Sequence, residues 1–116
     1  MPTIADKVSI AIGASNDNIV AGSPFEFLPY AAMLEFGLSG QRSLILATIT
    51  TGSDVVAEEH EIPGTNRVPI YPDDFYTSDV AARGQRLRIA ARNTNAAAGP
   101  DFVFSSVRIN PLGMRR

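Results

Sequence analysis

Glu58, Glu59, His60 and Glu61 form the one stretch where an imidazole sits among carboxylates. Such a group is the raw material of a metal shell or an acid–base site. At strand spacing His60 and Glu58 share one face, and Glu59 and Glu61 share the other. His60 is the only histidine and there is no cysteine. One chain therefore supplies a single imidazole, whereas zinc sites take three or four ligands. Copies of His60 and Glu58 meeting on a symmetry axis would complete a shell. Within one chain the cluster reads as a solvated, charged strand. Asp73 and Asp74, with Asp79 nearby, are a second acidic group. They lack the alternating ligands and central glycine of a calcium loop. Tyr71-Pro-Asp-Asp-Phe75 reads instead as a turn in which an aspartate caps local amides. The serines show no nucleophile-elbow spacing, and a hydrolase triad would have to use His60 without further support. No catalytic residue, metal or cofactor is assigned, and the chain reads as a non-enzyme.

Arg86, Arg88 and Arg92 are the remaining chemistry. They lie on one face of a strand, opposite Leu87, Ile89 and Ala91. Nine of the ten bases in the chain are arginine. Arginine forms planar, bidentate pairs with carboxylates and suits interface ion pairs. Residues 1–79 hold eleven acids and three bases, and residues 80–116 hold seven arginines and one acid. The formal net charge of −2 thus hides an acidic front and a basic back. That split serves either pairing between copies or pairing within one molecule. Arg86, Arg88, Arg92, Arg115 and Arg116 are the candidate protein-interface residues. Nucleic-acid binding is disfavoured, because no aromatic side chain interleaves with the arginines on their face.

The elements that must position these residues follow from a chain of 116 residues. That length is one domain with one core. Apolar residues make up 45% of the chain, but alanine accounts for 15 of them. The core is therefore thin. With no cysteine there is no disulfide to staple it, which favours assembly in a reducing cell or stabilisation by oligomerisation. The N-terminal residues lack a secretory-signal pattern, and no apolar run approaches the length of a membrane helix.

The hydrophobic period is two, not 3.6. Val8, Ile10 and Ile12 alternate with small residues, and Gly13–Asn18 is a turn cluster. Phe25–Tyr30 is a short edge or bent strand containing Pro29. Leu34, Phe36 and Leu38 form one face of a strand, although Ala31–Glu35 also permits one helical turn. Ser43–Thr51 is apolar on both faces at its start and suits a central strand. Gly52-Ser53 signals a two-residue turn into Asp54–Ile62, whose polar second half belongs at a sheet edge. Residues 65–76, with two prolines, should cross from one sheet to the other. Ser78–Ala82 reads as a short helical turn capped by Ser78. Residues 86–93 and 102–109 are the last strands and are expected to pair antiparallel. These features predict an all-β fold, an antiparallel β-sandwich or small jelly roll of six to eight strands. The expected organisation is one domain, 1–116, with extended arms at 1–7 and 110–116.

Asn66-Arg-Val-Pro-Ile-Tyr-Pro-Asp-Asp-Phe75, then Val80-Ala-Ala-Arg-Gly-Gln-Arg-Leu-Arg-Ile89, then Arg92-Asn-Thr-Asn95 resemble stretches of small β-sandwich virion proteins of tailed bacteriophages. The resemblance covers under half of the chain and carries over no functional residue. It implies a capsid decoration, or cement, protein on the virion surface, assembled in the host cytoplasm. Its partners would be copies of itself and a major capsid protein, without membrane contact. The arms would add backbone hydrogen bonds at neighbouring sheet edges. A phage tail or neck protein is the nearest alternative. A carbohydrate- or ligand-binding β-sandwich module is the other, with Tyr30, Tyr71 and Tyr76 as its platform candidates.

Overall fold

The period-two pattern becomes eight strands in the computed structural model, which describes residues 3–97 and 99–112. In chain order they are β1 (Thr3–Ile10), β2 (Ser15–Asn16), β3 (Ala32–Gly40), β4 (Ile45–Thr51), β5 (Asp54–Glu61), β6 (Phe75–Ala81), β7 (Leu87–Asn93) and β8 (Asp101–Pro111). They form two antiparallel four-stranded sheets, ordered β1-β8-β3-β6 and β2-β7-β4-β5. The architecture is a β-sandwich, and there is no helix among the described residues.

Alternation sorts each strand into an inner and an outer face. Leu34 and Phe36 on β3, Ile45 and Ile49 on β4, Leu87 and Ile89 on β7, and Val103, Val107 and Ile109 on β8 are fully buried. Each large aliphatic or aromatic side chain so buried stabilises the fold by about 1.5–3 kcal/mol. The inner faces also carry Ala47 and Ala91, where the sheets meet through small side chains. The turn at Gly52, with φ +61°, closes the β4–β5 hairpin, and β5 takes the expected edge position. Residues 62–74 cross from the second sheet to the first, also as expected.

Three expectations are corrected. Residues 78–81 belong to β6, not to a helical turn. Ala32, Leu34 and Phe36 pair with Ala81, Asp79 and Thr77, and a shared ladder outweighs the cap signal of Ser78. β7 and β8 do not pair, because they lie in opposite sheets. The intervening segment arches between layers roughly 10 Å apart, and β8 pairs with β1 and β3 instead. Residues 3–7 are not a free arm, since Thr3–Lys7 pair with Phe104–Arg108 of the same chain. At the other end Asn110 and Pro111 continue β8 beside Met33 and Ala32. Arg115 and Arg116 lie outside the described residues.

A polar knot ties the sheets together at one end. Asp101 is 2% exposed. Its carboxylate accepts Arg42 Nε at 2.9 and 3.0 Å and Asn93 Nδ2 at 2.9 Å. Asn93 also donates to the carbonyl of Ile10 at 3.0 Å, and Asn95 donates to the carbonyl of Ser43 at 3.0 Å. The knot thereby joins β1, β7, β8 and the β3–β4 turn. At the end of β4 remote from this knot, Thr51 Oγ1 donates to Asp79 Oδ2 at 2.5 Å, a second link between sheets.

Candidate functional site: the arginine face and the sandwich edge

The outer face of the second sheet is built on β7. Burial of Leu87, Ile89 and Ala91 turns Arg86, Arg88 and Arg92 outward, as the alternation requires. Among the described residues no full-length strand covers the far side of β7. The 17–28 loop does so, through backbone bonds such as Ile19 N–H to the Ile89 carbonyl at 2.8 Å and through the side chain of Asn18. Asn18 Oδ1 accepts the amides of Ile89 at 3.1 Å and Val20 at 3.2 Å, and its Nδ2 donates to the carbonyl of Leu87 at 3.2 Å. The amide of Leu87 then donates to the carbonyl of Glu26 at 2.6 Å.

That clamp decides the charge pattern. Glu26 is placed against Arg86, with Nε–Oε2 at 2.8 Å. The Gly22 amide and the Arg86 guanidinium together hold the Glu26 carboxyl below its ordinary pKa. Across the sheet, Glu59 on β5 meets Arg92 at 2.6 Å. Register shifts in the β4–β5 ladder flank this part of β5, and Glu59 has φ +38°. Both pairs face solvent, where screening and side-chain entropy leave little net stabilisation. Arg88 is different. Among the described residues it makes no ion pair and no side-chain hydrogen bond. Of the two pairings open to the stripe, the one within the chain is made by Arg86 and Arg92, and Arg88 is left over. It borders a cavity of about 250 Å³.

His60 lies at the opposite edge, where β5 approaches β6. Its Nε2 is 2.5 Å from the Tyr76 hydroxyl, with the rings edge to face at 5.3 Å. Burial pushes the imidazole below its ordinary pKa of 6.5 and pushes the Tyr76 phenol well above its usual range. A neutral ring accepting the Tyr76 proton fits both shifts. Glu61 does not join this pair, because its carboxylate accepts the Leu44 amide at 3.2 Å. Among the described residues no group of three or more histidines, aspartates or glutamates is placed to hold a metal ion. Asp74 behaves as a turn residue. Its carboxylate accepts the Ile70 amide at 2.8 Å and pairs with Arg67 at 3.0 Å, and both contacts lower its pKa.

A pH effect follows from His60. A histidine whose pKa is depressed by folding costs stability once it must charge, so its contribution is present above 6.5 and is lost as pH falls through the folded value. Urea midpoints measured from pH 7.5 to 5 should therefore fall. In His60→Gln the decline over the same range should be visibly shallower. Parallel curves for the two proteins would refute the assignment.

The sequence did not reveal the partners of the charged groups. Glu26 is 60 residues from Arg86, and Glu59 is 33 from Arg92. No local spacing signals such pairs. Tyr76 likewise gave no sign that it would meet His60. No family model, curated protein or solved structure matches the chain.

Proposed function

We propose that this chain is a non-enzymatic structural protein that works by docking on other protein subunits, as a capsid decoration or cement protein of a tailed phage head. The observation that supports this most is the flank at β6. β6 ends its sheet with no further strand beyond it among the described residues. It exposes Tyr76 and Val80, and the preceding loop exposes Val68, Ile70 and Tyr71. An open strand edge bordered by apolar side chains is a surface that other proteins cover. Such a surface suits strand addition, in which backbone hydrogen bonds give affinity. The thin core agrees with a protein that gains stability from neighbours. No helix among the described residues is long and apolar enough to cross a membrane.

The tyrosines speak against a sugar platform. Arg108 stacks on the Tyr71 ring at 3.6 Å, Tyr76 is bound to His60, and Tyr30 packs edge to face on Phe25. Each ring is thus already engaged within the chain.

Mixing the purified protein with empty heads from its source and imaging them is the direct test. Ordered density at regular lattice positions is the expected result. Bare heads, or a dilute monodisperse monomer that ignores them, would sink the decoration reading. Density confined to the neck or tail would move the same docking role there.

A further inference from the structure

We propose that the cavity beside Arg88 is a socket for a single carboxylate, the side chain of an aspartate or glutamate on another protein chain. The inference deepens the docking reading above and rests on it.

The sequence builds the socket through a gap in the arginine stripe. Arg88 and Arg92 lie four residues apart on one strand face, roughly 13 Å at strand rise. Ala90 stands between them with only a methyl group. Thr48 on β4 is the cross-strand neighbour of Ala90. The result is the cavity of about 250 Å³ lined by Arg88, Ala90, Arg92, Thr48, Asp17 and Glu59. Glu59 is occupied by Arg92. That leaves Arg88, a half-buried residue in the cavity wall, with no partner for its guanidinium among the described residues. A planar fork of donors in such a position matches a carboxylate, which it can bind through two parallel hydrogen bonds. Thr48 adds a hydroxyl on the same wall.

Charge selects among anions. Asp17 and Glu59 offset Arg88 and Arg92 in formal charge, so the wall offers an anion the unused donors of one guanidinium and no net positive charge. A single carboxylate needs only that one fork of donors. A polyanion such as a nucleic-acid backbone would bring repeated negative charge against Asp17 and Glu59, and among the described residues no continuous basic track flanks the cavity to hold it. The occupant is therefore a protein carboxylate and not a phosphate chain.

The test follows the Arg88 Nε–H resonance by NMR in the full chain. The probes are the capped tripeptides Ala-Glu-Ala and Ala-Gln-Ala and a single-stranded thymidine decanucleotide. The glutamate peptide should shift the Arg88 signal saturably, and the glutamine peptide should not. In Arg88→Gln, read on the backbone amides of Thr48 and Ala90 in the same wall, glutamate-peptide binding should weaken by about tenfold or more, the loss expected for a charge-assisted pair. Ala90→Leu should block it by filling the gap with the arginines intact, and Asp17→Asn should tighten it. Equal response to the two peptides, no saturation, or unchanged affinity in Arg88→Gln would overturn the socket. Tighter binding of the oligonucleotide at Arg88 would overturn it in favour of phosphate. Failure here with decorated heads would remove the socket and leave the docking role. Saturable binding here with bare heads would leave the socket and remove that role.

Discussion

Replacing Asp101 with alanine should lower the unfolding free energy by about 3 kcal/mol, near the lower end of the range for breaking a buried charged pair. Asp101 is the acceptor at the centre of the polar knot. Without it the Asn93 amide, itself fully buried, loses one of its two acceptors, and the buried Asn95 amide loses a longer contact at 3.4 Å. Each buried donor left unpaired costs about 1–3 kcal/mol. Arg42 moderates the total. Its side chain is 35% exposed, so its freed charge can turn to water instead of staying desolvated. Asp101→Asn keeps one acceptor oxygen and should lose less than Asp101→Ala. Urea unfolding of both variants and of Arg42→Ala, arranged as a double-mutant cycle, measures the coupling. A loss below about 1 kcal/mol for Asp101→Ala would mean that the knot does not hold the two sheets together.

Phe36→Ala should cost about 3–5 kcal/mol, the loss of a large buried side chain together with the cavity it leaves. Phe36 is fully buried on β3, and both flanking strands, β6 and β8, are hydrogen-bonded to it. Neighbours fixed in ladders cannot collapse into the space. In a core padded with alanine few other side chains are as large, so the loss is a large part of a total near 5–15 kcal/mol. At an m-value of about 2 kcal/mol/M the urea midpoint should fall by about 2 M. Phe102 on β8 is the control. It is 39% exposed and lies under the Lys7 ammonium at 4.2 Å. Its replacement should cost about 1 kcal/mol or less. If Phe36 and Phe102 prove equal, the sandwich interior is not where the structure places it. Should Phe36→Ala not fold, Phe36→Leu should still show a smaller loss.

Side-chain period two carries a great deal of this fold. It marks which residues of 34–38 and 87–91 face inward, because alternation across a strand is a local geometric consequence of the backbone, whereas 43–51, apolar on both faces at its start, shows only that it is a central strand. The polar half of β5 marks an edge for an equally local reason, as charges beside an open strand discourage further pairing. Period two says nothing about which strand lies beside which. The adjacency of 86–93 and 102–109 in the chain suggested a pair, but the chain between them spans the two layers. The cap signal at Ser78 misled because a cap is worth about 1 kcal/mol, and the ladder to β3 with burial of Ala81 offers more.

Charge shows the same division. Composition and alternation are enough to specify an all-β chain with a thin core and the outward stripe of Arg86, Arg88 and Arg92. Which of those arginines is already paired depends on the fold. The 17–28 loop, held by Asn18, brings Glu26 to Arg86, and the β4–β5 hairpin brings Glu59 to Arg92. Ion pairing depends on distances of a few ångströms between groups far apart in the chain, and composition records the charges but not those distances. The surplus at Arg88 is therefore a property of the folded surface.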